Sequence, residues 1–299
     1  MNKACVAFWL MGLIFNVTAL CQESRPAAAK SSQSAEKIYS VWPYDAKEAV
    51  RRQDETAKIL GLKQELVLDL GGDVTMKLAL IPAGKFVMGS PETEKDRLVF
   101  EGPQHPVTIS KAYYIGVTEV TQGQYEAVMG KNPSSFKFPD NPVENVLWKE
   151  AAEFCENLSE KTKKKVRLPS EAEWEYACRA GTATLYSFRG NLADYAWFND
   201  NAGKKTHPVG LKKPNPAGLY DMHGNVWEWC SDWYEEKYYA NAKTVDPQGP
   251  DTGKKRSLRG GSWTARPQRC STAVRGGGDP AERAKYIGFR VVVPAAGID

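Results

Sequence analysis

The alternation of apolar and polar positions changes character several times along the chain. Residues 1–21 open with Lys3 and continue as an almost unbroken apolar run from Ala4 to Leu20, with small residues at Val17-Thr18-Ala19. This is the pattern of an export signal cleaved nearby. The run holds about 17 apolar residues interrupted by Asn16, short of the ~20 that a spanning helix needs, which argues against a membrane anchor. Cys21 offers lipid attachment as a further alternative, although the bulky Leu20 before it matches that signal poorly. Residues 22–42 are small and polar without an apolar period, and read as a linker that cannot bury enough surface to order itself.

A helix is predicted next, within a helix-and-connector segment spanning 43–74. Asp45 with Glu48 three residues on forms a capping box, helix formers run to Leu60, and Gly61 supplies the stop. From Met76 the period becomes that of strands: 76–81 and 85–89, separated by Pro82-Ala83-Gly84, predict a hairpin. Helical spacing returns three times. Thr121 and Gln124 cap a segment ending at Gly130; Leu147, Ala151, Phe154, Cys155 and Leu158 share one helix face; Ser170 and Glu173 cap a helix carrying Trp174, Ala177 and Cys178. Beyond Gly181 the chain has Gly or Pro every few residues and no helical period, so it reads as loop-rich. The run from Lys161 to Arg167 reads as a solvated helix end and turn, and Gly276-Gly277-Gly278 as a flexible turn.

Composition narrows the chemistry. Forty Lys+Arg against 36 Asp+Glu leave a net charge of +4, too small and too well mixed for a nucleic-acid binder. Apart from the first 21 residues nothing is apolar enough to span a membrane, so no stable span remains once the signal is removed. Seven of the nine Trp lie between Trp148 and Trp263, which predicts a core packed with rings and loops. Three His without paired spacing exclude the common zinc-hydrolase motifs. A Walker loop, a dinucleotide fingerprint and a nucleophile elbow are also lacking.

The segment from Gly218 to Trp233 concentrates Asp221, Asn225, Glu228 and Asp232 around Gly224. Carboxylates together with carbonyls turned inward at a glycine are what a hard cation such as Ca²⁺ requires. Equally, these acids can cap turns and accept hydrogen bonds from the indoles of Trp227, Trp229 and Trp233. Cys155, Cys178, Cys230 and Cys270 remain after signal removal and allow three full pairings, or stay as small buried hydrophobes.

Six ordered blocks carry a family resemblance: Ile81 to Ser90, Thr118 to Thr121 with Tyr125, Arg167 to Cys178, Gly218 to Trp229, Arg259 to Trp263, and Gly288 to Arg290. Together they resemble the sulfatase-modifying factor, or formylglycine-generating enzyme-like, family over residues 75–294. The resemblance implies an α+β, loop-rich fold related to C-type lectins, with calcium bound in loops. Carried over by position, the second calcium site of the family would use Asp221 in place of an Asn, the carbonyls of Gly224 and Val226, and the Glu228 carboxylate. The other site would begin near Asp194 and Tyr195, and its second half is not recognisable.

Active members of that family oxidise a sulfatase Cys to formylglycine with O₂ at a Cu(I) held by two cysteines in a C-x-x-x-x-C. Two thiolates suit this soft ion and one leaves the site incomplete. Counted from Gly260-Gly261-Ser262-Trp263, Ala265 stands at the first cysteine position and Cys270 at the second. Counted back from Arg275, Cys270 falls nearer a structural cysteine that would partner Cys178. Ser262, which lines the substrate cleft in active members, is retained. The resemblance therefore leaves three readings: an oxidase acting on exported sulfatases through Cys270 and Ser262; a calcium-stabilised periplasmic or extracellular domain that binds an exported partner through loops floored by Trp197, Tyr220, Trp227 and Trp263; or a divergent oxidoreductase, like the members that act in siderophore maturation. The ergothioneine-forming members depend on a histidine-rich iron domain, for which this chain has too few histidines.

Overall fold

The computed structural model of the protein describes residues 36–296 and 298. The expected export signal, Cys21 and most of the polar linker lie outside the described residues. Among those described, no helix is long and apolar enough to cross a membrane.

Local signals set the four helices. In α1 (Ala46–Leu60) the Asp45 carboxylate accepts the Glu48 amide at 2.9 Å, and Gly61 takes the left-handed conformation that ends the helix. Glu48 does not close the box; its carboxylate pairs with Arg51 and Arg52 instead. The reciprocal box is complete in α2 (Gln122–Met129), between Thr121 and Gln124, and in α4 (Glu171–Arg179), between Ser170 and Glu173. In α3 (Trp148–Thr162) the face bearing Ala151, Phe154, Cys155 and Leu158 is buried, as its spacing predicts.

The strands form three sheets. The first has the order β1 (Glu65–Gly71), β2 (Val74–Ile81), β5 (Tyr113–Gly116), β10 (Val292–Pro294); the second pairs β3 (Gly84–Met88) with β4 (His105–Ile109). The predicted hairpin is therefore corrected. Both strands exist, but β2 is paired on one side by β1 and on the other by β5, whereas β3 takes β4. Tyr39 adds a bridge to Gly84, with both backbone hydrogen bonds made to Ala83 and Lys85. Pro82-Ala83-Gly84 thus moves the chain from one sheet to another.

The third sheet has the order β8 (Arg275–Gly278), β7 (Arg256–Arg259), β6 (Trp227–Trp233), β9 (Ile287–Gly288), with β6 and β9 parallel. Here a second expectation is corrected, because Gly276-Gly277-Gly278 is a strand paired with β7 and not a turn. Rings take the place of its missing side chains: a Cβ at Gly277 would run into Tyr234 and one at Gly278 into Trp229.

Rings join elements inside a core that is otherwise largely aliphatic, and of the seven clustered Trp only Trp174, Trp229 and Trp263 are buried, fewer than their distribution predicts. Phe154 stacks on Tyr125 at 5.6 Å and meets Phe289 edge-on at 5.3 Å, joining α2, α3 and the segment before β10. Trp229 is fully buried, and its indole donates to the Val146 carbonyl at 3.1 Å. Every residue of α4 is buried, so its charges need partners inside the protein. Arg275 grips Glu171 at 2.6 and 2.9 Å, Arg167 grips Glu173, and Arg259 and Arg179 share Glu175. Although burial works to raise the Glu171 pKa, Arg275 and Arg259 hold it down at about 2.

Candidate functional site

The loop between α4 and β6 brings the oxygen-rich segment against the centre of the molecule. Gly224 is required there because a Cβ would collide with the Trp197 carbonyl. Asp221 and Asn225 flank it with φ of 59° each, a left-handed conformation that short polar side chains tolerate. Glu228, the first inward residue of β6, is fully buried and accepts from Arg290 Nε and Nη2, both at 2.7 Å, and from the Trp174 indole at 2.7 Å. The expectation of an indole donor is corrected in its identity: Trp174 of α4 donates, not Trp227, Trp229 or Trp233, and the Trp229 indole goes to the Val146 carbonyl. Arg290 also donates to the Gly116 and Tyr220 carbonyls at 2.9 and 3.0 Å, tying β5, β6 and the loop together.

Two more carboxylates share this space. Asp221 accepts the Gly210 amide at 2.7 Å through Oδ2, while its Oδ1 is buried with no partner. Burial pushes the Asp221 pKa up to about 6. Glu119, which belongs to the block from Thr118 to Thr121 and carries no role in the sequence reading, is fully buried and accepts from Asn225 Nδ2 at 2.8 Å and Val226 N at 3.0 Å. Burial, reinforced by Asp221 and Glu228, raises its pKa well above the ordinary range. Three carboxylates therefore converge on one guanidinium. Among the described residues no three His, Cys, Asp or Glu side chains are arranged to hold a metal by themselves. Asp194, at the other expected site, is exposed and pairs with Lys213 at 3.0 Å, and Tyr195 stacks on Phe188 at 3.7 Å.

Asp232, the third acid of the segment, stands apart from these and caps α4, accepting from Glu171 N at 2.9 Å and Ser231 Oγ at 3.0 Å.

The cysteine region has a different character. Cys270 ends a 3-10 turn begun by Pro267 and is fully buried, packed in one small cluster with Leu192, Ala196, Phe198 and Ala265. Burial pushes its thiol up to about 12. Ala265, which one of the two counts sets at the first cysteine position, belongs to the same cluster. Ser262 is also fully buried, with Oγ 2.9 Å from the Thr264 hydroxyl. Gly261, at φ 78°, lets the chain pass Cys270 where a Cβ would come within 2.9 Å of its sulfur.

The inferred Cys178–Cys270 disulfide is corrected: Cys155, Cys178, Cys230 and Cys270 are all buried free thiols. The His223 ring contacts both Cys178 and Cys270. Its Nδ1 lies 2.7 Å from the Cys270 carbonyl oxygen, and its Nε2 lies 2.7 Å from Ser187 Oγ and 3.8 Å from Cys178 Sγ. Burial lowers the His223 pKa to about 4, which keeps the ring neutral, with one nitrogen donating and the other accepting. Only its being one of three histidines marked His223 in the sequence. Ser187 and Cys178 are fully buried too, so this group ties α4 to the neighbouring loops.

The expected aromatic floor is divided. Trp197 stacks on His207 at 3.8 Å, and Trp263 meets Phe136 edge-on and donates to the Lys285 carbonyl at 3.0 Å. Trp227 instead lines an open groove of about 410 Å³ with Tyr286, the glycines of β8, Asp279 and Glu282.

Comparison with known proteins gives one family. The sulfatase-modifying factor enzyme 1-like domain model matches residues 72–295. The chain is 38% identical to the formylglycine-generating enzyme of Streptomyces coelicolor over 170 residues, which covers 51% of this chain and 52% of that enzyme. It is 33% identical to the chaperone protein LppX of Paenibacillus barcinonensis over 239 residues, covering 62% of this chain and 81% of that protein. The solved structure of PvdO from Pseudomonas aeruginosa superposes with a TM-score of 0.71 at 30% identity, over 78% of this chain and 99% of PvdO. The architecture is accordingly the α+β formylglycine-generating-enzyme-like fold related to C-type lectins. With its motif blocks, its fold and the matched span in agreement, the chain belongs to the sulfatase-modifying factor enzyme 1-like domain family.

Proposed function

We propose that this chain is an exported, calcium-stabilised member of the family that binds a partner polypeptide or ligand through its loops and performs no copper-dependent oxidation. The observation that carries the reading is the replacement of one thiol: Ala265 packs beside a single, fully buried Cys270. One thiol whose proton is held to about pH 12 does not supply the paired thiolates that Cu(I) prefers. Cys178 is a separate buried free thiol, its sulfur 3.8 Å from His223 Nε2. Cu(I) therefore does not fit this site.

The groove beside Trp227 and Tyr286 supports the binding reading, since an apolar ring floor with Asp279 and Glu282 at hand suits a polypeptide segment. The name of LppX, a chaperone protein, supports a polypeptide partner as well. A sulfatase-type exported polypeptide is the first such partner to test. Titration of the reduced protein with Cu(I) against a competing chromophoric chelator is expected to show no tight stoichiometric uptake, and one-to-one tight binding overturns the reading.

Calcium fits the loop on one structural ground, the buried and unpartnered Asp221 Oδ1 beside an excess of carboxylate over guanidinium. Asp221, the Gly224 and Val226 carbonyls and Glu228 would hold it, with Glu228 still shared by Arg290 and Trp174. A bound calcium would supply the positive charge this pocket lacks and fasten the loop to β6. At saturating calcium the melting temperature is expected to rise by several degrees over the chelated protein, and Asp221→Ala to abolish the rise. An identical melting temperature at every calcium concentration excludes calcium from this loop.

A further inference from the structure

We infer that β1 is the seam of a two-fold dimer of this chain. β1 ends the sheet β1–β2–β5–β10, and among the described residues no strand pairs with its outer edge. The Leu80 amide donates to the Gln64 carbonyl at 2.8 Å. By the alternation of an antiparallel ladder, Gln64, Leu66 and Leu68 then exchange hydrogen bonds with β2, and Glu65, Val67 and Asp69 turn their N–H and C=O groups outward. Such an edge is a template for another strand unless something blunts it. Here the outward row carries exposed Glu65, Val67 and Asp69, with Val67 50% exposed, and no proline. Beside it runs an open groove of about 560 Å³ lined by Leu62, Leu66, Val67 and Tyr114.

Charge selects a second copy as the occupant and also selects its register. An antiparallel pairing centred on Leu66 sets Lys63 opposite Asp69 of the second copy, twice by symmetry, and Glu65 opposite Val67. It also sets the half-buried Leu66 against its own counterpart, where the two side chains cover each other's groove. A pairing centred on Val67 would instead set Glu65 against Asp69 twice, and like charges directly opposite are destabilising. Of these two registers, the one centred on Leu66 makes the edge complementary to itself.

Sedimentation velocity and light scattering of the purified protein test this. The protein is expected to dimerise. Lys63→Asp and Asp69→Lys should each weaken association about tenfold, since two cross-strand pairs turn from attraction to repulsion. The double variant Lys63→Asp/Asp69→Lys should restore the dimer, because it re-creates both pairs with exchanged signs. Asp69 also accepts the Gly71 amide at 2.8 Å, so an unchanged circular dichroism spectrum for each single variant separates lost association from lost folding, and Lys63→Asp carries the test without touching that bond. A monomer at all concentrations, a stronger dimer in Asp69→Lys, or failure of the double variant to recover overturns the proposal.

Discussion

Arg290→Met is expected to cost the folded protein about 3–5 kcal/mol, the penalty for leaving a buried ion pair with one member. Arg290 meets both oxygens of Glu228 at 2.7 Å, and both residues are fully buried. Its remaining donors hold the Gly116 and Tyr220 carbonyls, so four hydrogen bonds are lost with a single side chain. The loss also removes the guanidinium shared by Glu119, Asp221 and Glu228, three carboxylates that then repel one another without its compensation. Adding Glu228→Gln to Arg290→Met should return part of the loss, because the uncompensated charge is the larger share of the cost. Denaturant midpoints report both variants. A loss below about 1 kcal/mol in the single variant, a typical value for one ordinary hydrogen bond, would show that the guanidinium does not organise the centre of the fold.

Stability is expected to fall between about pH 4 and about pH 7, with Asp232 as a principal cause. Burial, together with the neighbouring Glu171, raises the Asp232 pKa from 3.8 to about 7. The folded state therefore holds the Asp232 proton more tightly than the unfolded chain does. The resulting stabilisation is fully present below the unfolded value of 3.8 and is lost as pH rises through about 7. A tenfold tighter hold on a proton is worth about 1.4 kcal/mol, so the loss across this window reaches several kcal/mol. Asp221 contributes with the same sign over a narrower window, up to about pH 6. Asp232→Asn isolates the larger contribution, because the amide oxygen can still accept from Glu171 N and Ser231 while carrying no charge. The stability of the wild type relative to Asp232→Asn should decline from pH 4 to pH 8. A constant difference across that range would contradict the assignment.

The parts of the fold that were legible in the sequence are those decided by neighbours in the chain. Asp45, Thr121 and Ser170 each cap a helix through a partner three residues away, and the buried face of α3 follows from spacing alone. Strand pairing depends on segments far apart, and there local reading failed. Pro82-Ala83-Gly84 looks like a hairpin turn, yet both sides of β2 belong to β1 and β5. Gly276-Gly277-Gly278 looks like a flexible turn because a glycine run hides its dependence on the Tyr234 and Trp229 rings, more than 40 residues away in sequence.

The candidate site divides in the same way. The density of oxygen around Gly224 marks Asp221 and Glu228 within a few residues of one another. Glu119 is more than 100 residues upstream, and Arg290 reaches Glu228 across 62 positions, so neither pairing leaves a local trace. The cysteines show the opposite error, since family spacing suggested a bond between Cys178 and Cys270 where both thiols are free and the His223 ring contacts the Cys178 sulfur and the Cys270 carbonyl.

The site around Cys270 and Ala265 is expected to perform no copper-dependent oxidation. This is tested most directly by incubating the reduced protein with Cu(I), O₂, a reductant and a peptide carrying Cys-x-Pro-x-Arg, beside an active formylglycine-generating enzyme as control, and weighing the peptide by mass spectrometry. An unchanged peptide in the sample and a converted one in the control is the predicted result. Conversion of the peptide thiol to the aldehyde by this protein, abolished by Cys270→Ser, would contradict it.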